Sequence, residues 1–176
     1  PYQDEATALL NNKSRSSYFL SLNGMWKYKW VADVKDTISG FYALSFNDSK
    51  WDSIPVPINV ECAGYGYPHY TNVTYPHPND PPYIKRDNPV SHYRESFIIP
   101  ESWKDKEIFV HFEGYQSAMY VWVNGKMAGY SEGSMTPAKF NITALAKPGR
   151  NTIAVRMFKW CDGSYIEDQD FWRLSG

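Results

Sequence analysis

The chain has little cysteine, almost no net charge and no long apolar run. Cys62 and Cys161 are the only cysteines among 176 residues. Neither belongs to a Cys-x-x-Cys pair, so no disulfide framework is expected and both read as free thiols. With 18 Lys plus Arg against 19 Asp plus Glu, the formal net charge is −1, which removes the electrostatic case for a nucleic-acid or anionic-membrane partner. No apolar stretch approaches the roughly 20 residues of a membrane helix. His69, His77, His92 and His111 show no zinc-type spacing. No internal repeat or low-complexity tract is evident. The first residue is Pro1 and no basic-then-apolar leader precedes it, so a natural N-terminus removed by processing or truncation is expected. Periplasmic and cytoplasmic locations both stay open.

What the chain has in quantity is aromatic residues, at 17% with 14 Tyr and 7 Trp. Aromatics on this scale favour a β-rich domain, and those left outside the core can stack on sugars. The length suits one domain, read as 18–176 behind a polar N-terminal arm at 1–17. Trp26, Tyr28 and Trp30 alternate with Lys27 and Lys29, the period of a strand with one aromatic face. Residues 33–50 read as a loop or a short helix. Trp51 to Pro57 reads as an edge strand, because proline cannot donate to a central ladder. Residues 55–92 carry eight of the 12 prolines and five tyrosines. Flexible linkers are poor in aromatics, so this stretch predicts an ordered excursion across a surface.

The second half alternates more clearly. Tyr93–Ile99, Ile108–Phe112, Met119–Val123 and Thr152–Trp160 each predict a strand, and Lys126–Tyr130 a returning one. Asn124-Gly125 predicts a two-residue hairpin turn, which needs positive φ at both positions. A further short segment covers Pro137–Thr143. Short strands separated by turns indicate a two-sheet sandwich.

The last fifteen residues carry the chemistry. Glu167, Asp168 and Asp170 sit among Tyr165, Phe171, Trp172 and Arg173. Carboxylates embedded in aromatics are costly to desolvate unless they bind a cation or accept hydrogen bonds. Sugars offer hydroxyl donors to carboxylates and C–H faces to rings, so carbohydrate recognition is the first chemistry to consider. Without a ligand, Asp170 would be expected to pair with Arg173, and Asn88 to cap a turn beside Pro89.

The chain resembles the N-terminal domain of glycoside hydrolase family 2 enzymes, and among them the large β-galactosidases. The motifs that carry this run from Ser21-Leu-Asn-Gly-Met-Trp26 through Tyr70-Thr-Asn-Val-Thr-Tyr-Pro76, Asn88-Pro89, Val123-Asn-Gly125 and Asp162-Gly-Ser-Tyr165 to Asp168-Gln-Asp-Phe-Trp-Arg-Leu-Ser-Gly176. The resemblance implies an all-β jelly-roll sandwich of the galactose-binding-domain type, lacking a closing C-terminal strand that should follow Gly176. It implies a larger parent with immunoglobulin-like domains and a catalytic barrel, homo-oligomeric, hydrolysing terminal β-galactosides with retention. Retention needs two carboxylates about 5 Å apart. By resemblance both are glutamates on the barrel, together with a magnesium ion, so no catalytic residue is expected here and Asp168 with Asp170 is rejected as a catalytic pair. Glu61 and Glu113 are taken as structural. The resemblance assigns Asp170 to a galactosyl hydroxyl and to a sodium ion beside it, and Asn88 to a second substrate contact. A free-standing carbohydrate-binding module and a structural or oligomer-forming domain are the other readings.

Overall fold

The computed structural model describes residues 1–176. The aromatic alternation at the start of the domain becomes strand β1, Gly24–Val31. Trp26 and Tyr28 turn inward and are buried, while Lys27 and Lys29 turn out. Strand β2, Asp52–Val56, lies at the sheet edge where its proline is tolerated. The tall centre of the sheet is β4, Val90–Ile99, paired along its whole length with β9, Gly149–Phe158. Strand β6, Ala118–Val123, and β7, Lys126–Glu132, complete an antiparallel sheet of order β2-β1-β4-β9-β6-β7.

The hairpin between β6 and β7 turns at Asn124 (φ 51°) and Gly125 (φ 80°), as the sequence pattern predicts. Asn124 does more than turn. Its amide donates to Leu145 O (2.9 Å) and to Asn151 Oδ1 (2.7 Å), and its Oδ1 accepts from Thr152 N (3.0 Å), tying the hairpin to the start of β9.

Met119, Val121 and Val123 on β6, Ile153, Val155 and Met157 on β9, and Tyr93, Phe97 and Ile99 on β4 point to one side. They meet a second layer built from β5, Phe109–Phe112, and β8, Ala138–Asn141, which supply Val110, Ala138 and Phe140 to the core. Neither β5 nor β8 has a second strand neighbour. The layers approach so closely at Gly129 that a Cβ there would lie 2.7 Å from the Phe140 ring. The fold is a jelly-roll β-sandwich.

Residues 33–51 are a loop with one short 3₁₀ turn at Val34–Asp36, and they cover part of the sheet's outer face. Phe41 is buried against Trp122 and Ala154, and Tyr42 stacks on Trp122 with 4.9 Å between centroids. The N-terminal arm holds a five-residue helix α1, Glu5–Leu9, capped by Asp4. Trp103 Nε1 donates to Ser17 O (2.9 Å) and Lys13 pairs with Glu113, fastening the arm to the sandwich.

Candidate functional site

The excursion at 55–92 is ordered. Tyr65 packs edge-on against Tyr28 at 4.7 Å, and His69–Thr71 forms strand β3. Its partner is β10, Phe171–Arg173, with Trp172 opposite Tyr70 and Arg173 opposite His69. Strand alternation sorts the two faces. Tyr70 and Trp172 face solvent, 48% and 61% exposed, with ring centroids 5.2 Å apart. Arg173 turns inward and is 1% exposed.

Arg173 organises the acidic segment. Its guanidinium donates to Asp168 O (3.0 Å) and Gln169 Oε1 (2.8 Å) and pairs with Glu167 (3.4 Å). Its Cζ lies 5.4 Å from the centre of the Trp160 ring. The expected Asp170–Arg173 ion pair does not form, because Arg173 is held beneath the surface, with Nη1 and Nη2 engaged there and Nε buried without a partner. Asp168 Oδ1 accepts from Asp170 N (3.0 Å), which caps the turn and engages one of that carboxylate's two oxygens. The exposed Asp170 carboxylate takes one bond, from Tyr70 Oη to Oδ1 at 2.8 Å. That bond raises the Tyr70 phenol above its ordinary range, since ionising it would place two anions side by side. Oδ2 of Asp170 makes no hydrogen bond within the chain.

Asn88 sits deeper, 9% exposed. Its Nδ2 donates to Trp160 O (2.9 Å) and its Oδ1 accepts from Trp160 N (3.0 Å). Asn88 therefore clamps the peptide of Trp160, whose ring lies near the Arg173 guanidinium, with the Phe171 ring closer still at 4.2 Å. Asn88 and Asp170 are joined through Trp160 and Arg173 and not by direct contact. One N–H and one lone pair of the Asn88 amide remain uncommitted. Around Trp160 stand His69 at 5.7 Å and His77 at 5.9 Å between ring centroids, with Arg86 at 5.3 Å. Burial, and then the nearby Arg86 charge, hold both imidazoles below their usual range, so they are neutral near pH 7.

Glu61 is structural: it pairs with Lys159 at 2.7 Å and accepts from the Ser175 amide and hydroxyl at 2.9 and 2.7 Å. Ser175 O accepts from Val60 N (2.9 Å), and Gly176 exchanges backbone bonds with Gln116. Glu113 is paired with Lys13 at the surface.

For a metal, Asp170 offers a free, hard, anionic oxygen, the donor type that sodium takes. A different donor group, Glu132, Cys161 and Asp162, has ligand atoms within 4.8 Å of one another. Burial pushes the Cys161 thiol up, which disfavours the thiolate a metal needs. Sequence reading found the carboxylates and missed the ledge. Tyr70 and Trp172 lie about a hundred residues apart, and only the β3–β10 register brings them together.

An antiparallel jelly roll is an architecture that lectin domains share with other proteins, and here it carries an outward carboxylate beside exposed rings. Comparison with known proteins makes this specific. The family model described as glycosyl hydrolases family 2, sugar binding domain, matches residues 19–176, and the chain belongs to that family. It is 45% identical to a β-galactosidase of Priestia megaterium over 100% of this chain and 18% of that protein. It is 44% identical to a β-galactosidase of Vibrio vulnificus over 89% of this chain and 15% of that protein. The chain thus spans under a fifth of the length of these relatives. Among solved structures, the β-glucuronidase of Ruminococcus gnavus superposes with a TM-score of 0.56 at 25% identity, covering 78% of this chain and 21% of that one.

Proposed function

We propose that this chain is the sugar-binding N-terminal portion of a retaining β-galactosidase, and that it lends Asp170 to an active site whose catalytic glutamates and magnesium lie in a barrel elsewhere in the parent. The observation that carries this reading is the Asp170 carboxylate. It is exposed, oriented by Tyr70, and left with one oxygen free. A carboxylate in that state bridges a sugar hydroxyl and a sodium ion without losing an internal bond. Asn88 contributes its remaining amide valences to the substrate while its other two hold Trp160. Asp168 uses one carboxylate oxygen to cap Asp170 N and is assigned no part in the reaction.

The test is Asp170→Asn in the full-length parent. Neutralising the carboxylate weakens the ion and the hydroxyl contact together, so kcat/KM for an aryl β-galactoside should fall on the order of 100-fold or more. The response to sodium should be lost as well. Normal kinetics with a normal sodium response would remove Asp170 from the site. The chain on its own should show no turnover.

The exposed Tyr70–Trp172 pair supports a second reading, a free-standing carbohydrate-binding module. Stacking platforms of that kind bind glycans without help from another domain. Calorimetry with galactose and lactose separates the two: millimolar or absent binding fits the first, because one wall of a pocket buries little of a sugar. Micromolar binding would favour the module.

A further inference from the structure

The outer face of the large sheet carries a trough that the galactoside reading does not use. The loop at 33–51 shields the part of that face around Trp122 and Ala154. Below its edge Lys27, Ser53, Arg94, Ser96, Arg150 and Thr152 line an open cavity of about 300 Å³. That volume is at the lower limit for small-ligand pockets. Thr152 and Arg150 lie at the beginning of β9, and Trp160 follows its end. At about 3.4 Å per residue, on the order of 25 Å separates the trough from the acidic ledge.

Cation is placed against cation here. Lys27 and Arg94 are direct cross-strand partners on β1 and β4, an arrangement that repels unless something compensates it. Arg150 reaches over the same face, with Nη2 donating to Ser96 Oγ at 3.1 Å. Arg94 forms the floor, with its side chain 6% exposed. Its Nε pairs with Asp48 at 2.8 Å and its Nη1 donates to the carbonyls of Phe41 and Ala43. Nη2 has no acceptor in the chain. Asp48 compensates Arg94 alone, and Lys27 and Arg150 have no ion-pair partner. Glu95 borders the trough, with Oε1 taken by the Ser96 amide at 2.7 Å. The result is a rigid, partly buried guanidinium between two free cations, with hydroxyls of Ser53, Ser96 and Thr152 between them.

We propose that this trough is a binding site for a small oxyanion, a phosphate, sulfate or carboxylate, either free or carried on a sugar. The anion sits over Arg94 Nη2, flanked by Lys27 and Arg150, and accepts from the intervening hydroxyls. Oxyanions suit planar guanidinium donors geometrically. Filling the trough relieves the Lys27–Arg94 repulsion that the bare sheet carries.

The test is a nitrogen-15 NMR titration of the chain at pH 7.5 and constant ionic strength, with sodium phosphate, sodium glucuronate and galactose in separate arms. The expected result is saturable shifts at Lys27, Arg94, Ser96 and Thr152 with millimolar dissociation constants for the anions. In K27M/R150M, whose altered side chains are solvent-facing and leave the fold intact, binding should weaken at least tenfold. Tighter binding of glucuronate than phosphate identifies the source as an acidic sugar, and the reverse order as the free ion. Non-saturating shifts, equal shifts in the double variant, or equal binding of neutral galactose at those same four residues would overturn the proposal. The Asp170→Asn enzyme serves as the independent control, since loss of galactoside turnover there leaves the trough untouched.

Discussion

His92 predicts a specific loss of stability under mild acid. It is fully buried on β4 at the centre of the large sheet, and both ring nitrogens are used. Nε2 accepts from Ile38 N (3.3 Å), and Nδ1 faces Lys29 O (3.3 Å). That pattern requires the neutral tautomer with its proton on Nδ1. Burial, and secondarily the Arg156 charge, lower the imidazole pKa from 6.5 to about 4, against a small opposing pull from the Lys29 carbonyl. An unfolded chain protonates this histidine near its ordinary value. Between the two pKa values the unfolded state therefore binds a proton that the folded state refuses. The contribution is complete above about pH 6.5 and is lost as pH falls toward 4. At about 1.4 kcal/mol per unit, the 2.5 units between those values give at most about 3.5 kcal/mol.

Many carboxylates titrate over the same range, so wild type alone cannot isolate this effect. The decisive quantity is the difference between wild type and His92→Gln, measured by urea unfolding from pH 7.5 to pH 4. Background titrations cancel in that difference. The variant keeps a donor and an acceptor but has nothing to protonate. Its deficit relative to wild type should shrink by 2 to 3 kcal/mol, an estimate from the linkage relation, as pH falls through the window. Amide exchange at 38–51 should accelerate in wild type over the same range, because Ile38 N loses its acceptor. A difference that stays flat with pH would show that His92 does not carry the proton linkage.

Three further outcomes are expected. Gly129→Ala should destabilise by about 1–3 kcal/mol, since the new methyl meets the Phe140 ring; a thermal melt within one degree of wild type would contradict the contact. Glu61→Ala should cost about 3–5 kcal/mol, because it strands buried Lys159 and frees the Ser175 amide and hydroxyl; urea titration should show the joint Glu61→Met/Lys159→Met change to be milder than the single one. Arg173→Met should unlock the acidic segment, visible as faster amide exchange at 168–170, with the midpoint of unfolding lowered.

The sandwich was legible because its strands obey a two-residue period and its hairpin uses Asn-Gly, both local signals. The Trp26–Tyr28 face, the edge position of the proline-bearing strand and the inward rows of β6 and β9 all follow from alternation. What was not legible depends on pairings distant in sequence. Residues 33–51 have no clear period, yet they place Phe41 over Trp122, a contact set by one side chain of the loop and the outward parity of β6. The expected Asp170–Arg173 pair failed because of the β3–β10 pairing, which joins residues about a hundred apart in sequence. Asp170 lies just before β10, and once Trp172 takes the outer face beside Tyr70, alternation sends the adjacent Arg173 inward.

That inward turn explains how a surface carboxylate is held without a salt bridge of its own. Asn88 fixes the Trp160 peptide, Trp160 gives Arg173 a ring to lie against, and Arg173 holds the carbonyl of Asp168 and the amide group of Gln169. Asp168 then caps Asp170 N, and Tyr70 sets the rotamer from the neighbouring strand. The first steps pair groups that are buried, the bonds that hold Asp170 itself are exposed, and Arg173 Nε stays buried without a partner. An Asp170–Arg173 ion pair would have drawn the guanidinium to the surface and left those buried acceptors empty. The arrangement found keeps the positive charge below and presents the carboxylate above, with one oxygen uncommitted. That leaves carboxylate lone pairs open to the proposed hydroxyl and cation contacts.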